Sequence, residues 1–479
     1  MSSLDLTKRV LTTMLLCMKK FVGRKKELSM LENAFASESS VFIPVYGRRR
    51  VGKSELILQF LKKKTGIYFL GKRAQPGLQI REFLRESSVS LNVPLLKDFS
   101  ASDWESALST VVNAHQKNAK LVLVLDEFQW MVEASPELIS VLQNLWDRVW
   151  KNSGKIFLIV CGSYIGFMER KVLGKKSPLF GRRTGQIFLK PFGYLEASEF
   201  HPEYSVVDRA KTYFICGGIP WYLDFFNTQR SVEMNVTVNM LNQFAPLFQE
   251  PDFLLREELR DVNKYYAILM AIASGFTSQT DIAKNTEIDS RALHYYLKQL
   301  TELGYISRQY PLTTSLPVQR HVRYVLDDPL LRFWFKFIYQ NISYILHAGG
   351  QKAMQVRIKP HLDSYFGYCF ERLCREAIPY IYNKEEVNAA FKIGEYWNPK
   401  TQIDTVGIRD DNWIDLGECK WGPIRSPKAV KQEIESKLVH YPNPQNYTLA
   451  LHIFSRNPVK KKLVNISWHS LKDLYQDVA

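Results

Sequence analysis

Long apolar runs and paired cysteines are both missing from this sequence of 479 residues. No apolar stretch approaches the roughly 18–20 residues that a membrane-spanning helix needs, so we expect no membrane association. Most of the cysteines lie singly in apolar stretches: Cys17, Cys161, Cys216, Cys369, Cys374 and Cys419. This pattern favours reduced thiols and a cytoplasmic location over disulfides or a zinc site.

Internal repeats and low-complexity segments are absent as well. Hydrophobic residues make up 46% and charged residues 23% of the chain, which is typical of globular domains and excludes a disordered or collagenous protein. The 64 lysines and arginines exceed the 48 acids, which gives a net charge of +16. That balance indicates a nucleic acid or another polyanion as partner, and a solvated basic surface explains it equally well.

The first twenty residues contain two candidate translation starts. A short apolar run, Val10–Met18, follows two basic residues, but no small-residue cleavage site of a signal peptide comes after it. The sequence leaves open whether translation starts at Met1 or at Met18.

The clearest motif is a phosphate-binding loop between an apolar strand, Val41–Tyr46, and a helix, Ser54–Lys64. It matches the pattern G-x-x-x-x-G-K-[ST], in which backbone N–H groups surround the phosphates of a nucleotide. Lys53 is expected to reach the β- and γ-phosphates of ATP, and Ser54 to ligate Mg²⁺. The predicted nucleotide-binding residues are Gly47, Arg48, Arg49, Arg50, Val51, Gly52, Lys53, Ser54 and Glu55.

Two further apolar strands end in polar residues. Leu121–Leu125 runs into Asp126, a predicted Mg²⁺ ligand, and Glu127, which is expected to orient or deprotonate the attacking water. The run Lys155–Cys161 ends shortly before Ser163. Ser163 is either a residue that senses the γ-phosphate or positions the water, or a turn serine, and the sequence leaves both open.

The segment 169–183 is basic and is interrupted by serine, proline and glycine, which predicts a loop. Arg182 or Arg183 is a candidate to contact phosphate as an arginine finger or sensor. A solvated basic loop is the alternative.

Several motifs occur in an order that resembles the archaeal-type ATPase family of the STAND branch of AAA+ P-loop NTPases. They are Phe21-Val22-Gly23-Arg24, the phosphate-binding loop, Leu125-Asp126-Glu127-Phe128-Gln129, Ser163, the segment 177–182 and Gly217-Gly218-Ile219-Pro220. The resemblance implies that Phe21, Gly23 and Arg24 lie near the adenine and that Pro220 reports the nucleotide state. It also implies a nucleotide switch rather than a fast motor.

Residues 256–312 predict three helices followed by a β-hairpin, which fits a winged helix-turn-helix. Asp289 is the expected cap of the third helix, and the leucines at 293, 297, 300 and 303 are its expected buried stripe. The opposite face carries Arg291, His294, Tyr295 and Lys298. These residues are candidates for DNA contact, but the segment carries seven basic and seven acidic residues, so a linker or interaction module is the alternative.

Two strands near the C-terminus, Gln402–Val406 and Trp413–Lys420, predict a hairpin whose turn is Arg409–Asn412. If it is symmetric about position 411, Asp404 faces Glu418, and the two-residue period of a strand puts Lys420 on the same side. Two carboxylates at one point repel each other unless a cation lies between them, and Mg²⁺ or Mn²⁺ is the natural occupant. A lysine beside that cation can orient and acidify an attacking water.

This arrangement resembles the PD-(D/E)XK nuclease superfamily. The resemblance implies that Glu371 is the acid of a preceding helix, that Asp404 and Glu418 are metal ligands and that Lys420 acts on the water. Ile403 stands where the superfamily usually has proline. The alternative is a cross-strand salt bridge between Asp404 and Lys420.

The sequence as a whole predicts an α/β architecture: a P-loop AAA+ parallel sheet with a helical lid, a winged helix-turn-helix and a restriction-endonuclease-like α/β domain. The expected parts are an N-terminal extension (1–20), the ATPase core (21–195), the lid (196–255), the winged helix (256–326), a helical linker (327–360) and the nuclease-like domain (361–479). The predicted function is a switch ATPase coupled to a Mg²⁺-dependent nuclease-like domain that acts on DNA. A non-cleaving regulator that binds DNA or a protein is the alternative, and homo-oligomerisation is left open.

Overall fold

The computed structural model describes residues 21–115, 119–315, 321–459 and 465–476. The expectations for Met18 and Cys17 lie outside these ranges. The chain divides into two compact units, one that ends at Pro191 and one that begins at Phe192.

The N-terminal unit alternates strands and helices. Its strands are β1 (Val41–Tyr46), β2 (Gly66–Leu70), β3 (Leu121–Asp126), β4 (Ile156–Gly162) and β5 (Ile187–Phe188). Its helices are α1 (Lys25–Ala36), α2 (Lys53–Leu61), α3 (Pro76–Leu91), α4 (Trp104–Ala114), α5 (Phe128–Ala134), α6 (Leu138–Leu145), α7 (Lys151–Ser153) and α8 (Ile165–Phe167), with shorter helical turns at Pro94–Lys97, Trp146–Trp150 and Met168–Val172.

Within the described residues, these strands form a parallel sheet in the order β2-β3-β4-β1-β5. The strands β1, β3 and β4 are buried along their whole length, because helices cover both faces of a parallel sheet. All three motif-bearing strands are neighbours, and their carboxyl ends meet at one edge. The sheet therefore brings the phosphate-binding loop, Asp126 and Ser163 to the same place.

The loop predicted at 169–183 is wrong in its first part. A helical turn covers Met168–Val172, because Met168 and Val172, four residues apart, are both buried in the core of the unit. Arg170 and Lys171 therefore lie on that helical turn, while the rest of the segment is irregular.

The second unit begins with helices and ends in a mixed sheet. Its helices are α9 (Tyr194–Ser198), α10 (Val206–Cys216), α11 (Pro220–Leu223), α12 (Val232–Met240), α13 (Glu250–Glu258), α14 (Val262–Ala273), α15 (Gln279–Thr286), α16 (Ser290–Glu302), α17 (Pro329–Phe333), α18 (Ile342–Ala348), α19 (Gly350–Ala353), α20 (Lys359–Lys384), α21 (Pro427–Leu438) and α22 (Leu471–Leu474), with helical turns at Trp334–Ile338, Tyr339–Asn341 and Met354–Ile358. Its strands are β6 (Ile306–Gln309), β7 (Arg323–Leu326), β8 (Phe391–Trp397), β9 (Gln402–Arg409), β10 (Trp413–Lys420), β11 (Thr448–Ser455) and β12 (Ser467–Ser470).

The predicted helices at 262–302 are present as α14, α15 and α16, and β6 and β7 form an antiparallel pair after them. The Asp289 side chain accepts a hydrogen bond from the backbone N–H of Arg291 and so caps α16. The leucines at 293, 297 and 300 are buried, whereas Leu303 follows the end of the helix and is half-buried. Arg291, His294, Tyr295 and Lys298 are exposed on the opposite face.

The C-terminal sheet has the order β12-β11-β10-β9-β8. Strands β8, β9 and β10 are antiparallel, and β10, β11 and β12 are parallel. Helix α20 packs on the face that carries Gly407 and Asp415, which the Tyr382 side chain touches. Helix α21 covers the other face, where Val430 packs on Ile453.

The predicted hairpin register is confirmed. Ile408 pairs with Ile414 and Val406 with Leu416, so the hairpin is symmetric about position 411. Asp404 lies one step beyond the last pair, Thr405 with Gly417, and therefore opposite Glu418.

The search for membrane-spanning segments found no helix of sufficient length and apolarity among the described residues. Five cysteines in those residues are free thiols: Cys161, Cys216, Cys369, Cys374 and Cys419.

Candidate functional sites

The phosphate-binding loop is shaped by backbone geometry that few residues adopt. Gly52 has φ = 88° and Arg50 has φ = 66°, and any side chain at Gly47 would overlap the carbonyl oxygen of Leu189. Lys53 is 6% exposed, and its Nζ donates to the carbonyl oxygens of Gly47 (2.9 Å) and Arg48 (2.8 Å). In the part of the chain that the structure describes, this ammonium group forms no ion pair, so its charge is available to a phosphate.

Arg24 supports the loop from behind. The residue is 4% exposed, and its guanidinium donates through Nη2 to the carbonyl oxygens of Val51 (3.0 Å) and Lys190 (2.7 Å). Phe21 and Gly23 lie directly before it, and Gly23 has φ = 63°. The contact with Val51 ties this segment to the loop, and the predicted approach to the adenine stays a prediction.

Asp126 is held by three donors. Its Oδ2 accepts hydrogen bonds from Ser54 Oγ (3.0 Å) and from the Tyr68 hydroxyl, and its Oδ1 accepts one from the backbone N–H of Glu127 (2.8 Å). Burial, together with the charge of Asp126, raises the pKa of Tyr68 far above its usual value, so the phenol stays protonated and donates. Ser54 and Asp126 thus meet as a magnesium site requires. Sequence reasoning missed Tyr68, whose only signal is its position near the end of the neighbouring strand β2.

Glu127 is held in a left-handed conformation, with φ = 48°, at the end of β3. Its Oε2 accepts hydrogen bonds from Ser163 Oγ (3.0 Å) and from Gln129 Nε2. Ser163, which is 6% exposed, therefore contacts the predicted water-orienting carboxylate itself. Gln129 belongs to the motif quoted above, but sequence reasoning gave it no role.

The two candidate arginines differ in their surroundings. Arg182 donates to Asp147 through Nε (2.9 Å) and Nη2 (2.7 Å), and this contact lowers the pKa of Asp147. Arg183 is exposed, and its charge opposes the rise in the pKa of Tyr46 that burial causes. Because Tyr46 ends β1, directly before the loop, Arg183 is the better placed candidate. Whether either arginine contacts phosphate stays a prediction.

The other predicted nucleotide-site residues lie at ends of elements. Glu55 is exposed on the first turn of α2, and Pro220 is the first residue of α11. A sharp turn precedes Pro220, since Gly217 has φ = 61° and a side chain at Gly218 would overlap the carbonyl oxygen of Phe192.

In the C-terminal sheet, Glu418 is 3% exposed and is bonded to two lysines. Its Oε1 accepts from Lys420 Nζ (2.9 Å) and its Oε2 from Lys437 Nζ (2.6 Å). Lys420 also donates to Glu433 Oε1 (2.8 Å). The alternative salt bridge between Asp404 and Lys420 is not formed.

Asp404 lies beside this group and is 7% exposed. Its Oδ2 accepts a hydrogen bond from the backbone N–H of Cys419 (2.9 Å), and its backbone carbonyl accepts one from Arg375 Nη1 (2.5 Å). Burial raises the pKa of Glu371 to about 8, and the charge of Asp404 adds to the rise. Burial and Asp404 likewise raise the pKa of Glu418 to about 6. The three predicted acids are therefore close enough to interact.

The donor set fits a hard divalent cation, because it consists of carboxylate oxygens, and the charge of Asp404 helps to raise the pKa values of Glu371 and Glu418. No group of three or more His, Cys, Asp or Glu side chains is arranged to hold a metal ion in the described residues. Lys437 and Glu433, which sequence reasoning missed, complete the charge balance instead. They lie one turn apart on α21, and that spacing was their only signal.

Comparisons with known proteins agree with the first site. Residues 21–226 match an ATPase domain found predominantly in Archaea, residues 334–434 match archaeal and bacterial proteins of unknown function, and residues 262–321 match the B-block binding subunit of TFIIIC. A Walker-type ATPase of Pyrococcus abyssi has the same fold, with a TM-score of 0.50, 19% identity, and coverage of 66% of this chain and 96% of that one. The protein is thus an ATPase of the archaeal P-loop family.

The family follows from a longer match. An uncharacterised protein of Methanocaldococcus jannaschii is 30% identical over 433 residues, which cover 89% of this chain and 94% of that protein. The chain belongs to the same family as that protein. In this chain the match to the archaeal ATPase domain precedes the match to proteins of unknown function. A STAND protein with a tetratricopeptide repeat sensor from Pyrococcus horikoshii is a looser structural neighbour, with a TM-score of 0.32, 16% identity, and coverage of 77% of this chain and 50% of that one.

Proposed function

We propose that this chain is an ATP-hydrolysing switch of the STAND type whose nucleotide state controls a divalent-metal-dependent nuclease-like site acting on DNA. The observation that carries the proposal is the register of β9 and β10. It puts Asp404 opposite Glu418, with Lys420 on the same face and the buried Glu371 within electrostatic reach.

In the ATPase site, the residues divide the work. Lys53 presents its charge to the β- and γ-phosphates, and Ser54 with Asp126 would hold the magnesium ion, which supplies charge neutralisation at the phosphates. Glu127 takes up the proton of the attacking water. Ser163 and Gln129 fix the direction of its carboxylate, so the base is aligned before substrate arrives.

In the nuclease-like site, Asp404 and Glu418 would hold Mg²⁺ or Mn²⁺, which supplies charge stabilisation at a phosphodiester. Lys420 would then turn from Glu418 to the attacking water. Its second partner, Glu433, lies at the surface end of the side chain, with 42% of its own side chain exposed. Lys420 therefore keeps one acidic contact while it moves.

The helices α14, α15 and α16 are called the three-helix segment below. The hairpin of β6 and β7 follows this segment and contacts the sheet that carries the site. The backbone N–H of Leu312 donates to the Glu395 carbonyl on β8 (2.8 Å), and the Tyr441 hydroxyl donates to the Leu312 carbonyl (3.3 Å). On the other arm, the Arg323 guanidinium lies 4.4 Å from the centre of the Trp397 ring. The hairpin is thus bound along the edge strand of the C-terminal sheet, and a shift of the segment would reach that sheet.

Arg323, on the same arm of the hairpin, also interacts electrostatically with the acids Glu395 and Glu371. Burial lowers the pKa of Arg323, while the negative charges of Glu395 and Glu371 oppose the shift. Arg323 is therefore an electrostatic neighbour of the helix acid of the candidate site. Through this electrostatic interaction, a movement of the hairpin would alter the charge balance of the site.

A second function is favoured by one specific observation. Two lysines already neutralise Glu418, as they would in a domain that binds DNA or a protein without cutting. In that case ATP controls binding alone, and the exposed face of α16 is the candidate DNA contact.

Cleavage of plasmid and linear DNA with Mg²⁺ or Mn²⁺, with and without ATP, tests the proposal. We expect the wild type to cut, and Asp404→Ala and Lys420→Ala to be inactive. Asp411→Ala, an exposed acid in the turn of the same hairpin, is the matched control and should cut normally. Binding of DNA without cutting under every nucleotide condition would favour the non-cleaving regulator.

A further inference from the structure

A cavity of about 250 Å³ lies within the second unit, and none of the three predicted acids of the C-terminal sheet site lines it. Its walls come from the end of α14 and the turn after it, from the last residues of β7, and from the helices that begin at Pro329 and Lys359. The polar side chains in the lining are Thr277, Arg332, Lys336, Ser364, Tyr365 and Tyr368.

Arg332 is the unusual residue of this lining, because its side chain is only 6% exposed. Its Nη1 donates to the Leu326 carbonyl (3.0 Å) and its Nε to the Tyr365 hydroxyl (3.4 Å). Throughout the described ranges, no carboxylate pairs with it and its Nη2 has no hydrogen-bond partner. The nearby Arg372, by contrast, pairs with Asp327 at 2.6 Å. A buried cation without a counter-ion is energetically costly, so the site calls for an anion.

A second cation lines the same cavity. Lys336 is one turn after Arg332, is half-buried, and also forms no ion pair within the described parts of the chain. No aspartate or glutamate is among the lining residues. Two positive charges together with the hydroxyls of Ser364 and Tyr368 match a ligand that carries nearly two negative charges and several acceptor oxygens, as a phosphate monoester does at neutral pH.

We propose that this cavity binds a small phosphate monoester. Its volume of about 250 Å³ is just below the roughly 300–1,000 Å³ of drug-sized ligand sites, which limits the ligand to a small molecule. Ile272, Val325 and Leu326 provide an apolar wall for the body of the ligand. Because Arg332 is almost completely buried, a small ligand reaches it more readily than the phosphate of a rigid duplex.

The position of the cavity gives the ligand a role as an effector. The ligand would bridge the three-helix segment and α20, and α20 carries Glu371 one turn after Tyr368. Its occupancy would therefore fix the segment against the helix of the nuclease-like site. Binding itself requires neither ATP hydrolysis nor DNA cleavage, so it stands apart from the proposed function.

The test uses the full chain with Lys53→Ala, which weakens phosphate binding at the loop. Inorganic phosphate and ribose 5-phosphate are titrated by calorimetry and by thermal unfolding, with ribose as the neutral control. We expect both phosphates to bind and to raise the unfolding temperature, and ribose to do neither. Adding Lys336→Ala should weaken binding about tenfold, by the loss of one charge-assisted contact, whereas Lys352→Ala, an exposed lysine elsewhere, should not.

Arg332→Gln should abolish binding. Lys336→Ala keeps the test decisive if that variant does not fold, because the Lys336 amine forms no hydrogen bond or ion pair in the described structure. Equal affinity with and without Lys336, no binding of either phosphate, or a Lys336-dependent effect of duplex DNA alone would each overturn the proposal.

Discussion

The two candidate sites both contain lysine and buried carboxylates, but these groups are paired differently in each. In the phosphate-binding loop, Lys53 donates to backbone carbonyls, and the acids Asp126 and Glu127 accept from hydroxyl, amide and backbone donors. In the C-terminal sheet, Lys420 and Lys437 donate directly to Glu418. In the first site, the lysine forms no ion pair with the acids within the described residues. In the second site, two lysines neutralise the charge of Glu418.

The difference has a chemical consequence. Neutral donors leave the charge of a carboxylate intact, so the ATPase site can hold a cation and a phosphate without rearrangement. An ammonium on Glu418 cancels that charge, so cation binding there requires at least one lysine to leave. We therefore expect the ATPase site to be active once ATP binds. The C-terminal site should require a change that first removes a lysine from Glu418.

The largest expected effect is on the rate of ATP hydrolysis. Glu127→Gln should lower the rate of ATP hydrolysis by about 10²–10⁴-fold, since the base that takes the water proton is lost, while ATP affinity stays within a few-fold. Steady-state hydrolysis and equilibrium binding of ATP measure the two effects. Glu133→Gln, an exposed acid on the following helix, is the control, and a normal rate in Glu127→Gln would show that another residue is the base.

Ser163→Ala should have the next largest effect on hydrolysis. A hydrogen bond to a charged group contributes about 1.5–3 kcal/mol, so the rate should fall by roughly 10–100-fold. The affinity for ATP should not change, because Ser163 acts through Glu127. If Ser163 is only a turn serine, kcat will remain at the wild-type level.

Lys437→Met tests the role of the lysines in the C-terminal site. Glu418 then keeps one lysine, and we expect the free energy of unfolding to fall by about 1–3 kcal/mol because one oxygen of a buried carboxylate loses its donor. Mn²⁺ should restore more stability to this variant than to the wild type. Lys431→Met, on the same helix but paired with the surface acid Glu435, should show neither effect, and an unchanged Lys437→Met would mean that its contact with Glu418 is energetically neutral.

The smallest expected effect concerns Tyr68. Tyr68→Phe removes one of three donors to Asp126, a hydrogen bond to a charged group that contributes about 1.5–3 kcal/mol. Because two donors and the bound cation still hold the carboxylate, the rate at saturating Mg²⁺ should change by only a few-fold. The concentration of Mg²⁺ needed for half-maximal hydrolysis should shift more than the KM for ATP. Identical magnesium dependence in both proteins would exclude a positioning role for the Tyr68 hydroxyl.

Local patterns predicted whatever depends on strand period and chain direction. The hairpin about position 411 follows from turn chemistry and from alternation, and the loop before Lys53 follows from its glycines and the flanking strand. Tyr68 and Lys437 were missed because each reaches its acid from an element distant in sequence. The ion pair between Arg182 and Asp147 was missed for the same reason, since no spacing rule connects the helical segment 138–153 with a loop at 182.

We propose that the C-terminal acids take up a divalent cation when ATP is bound. Counting Mn²⁺ ions bound per chain by electron paramagnetic resonance, in the presence of ATP, tests it most directly for the wild type and for Asp404→Asn. We expect one more Mn²⁺ on the wild type than on the variant, and the loss of this difference when ATP is withheld. An equal number on both proteins with ATP would contradict it.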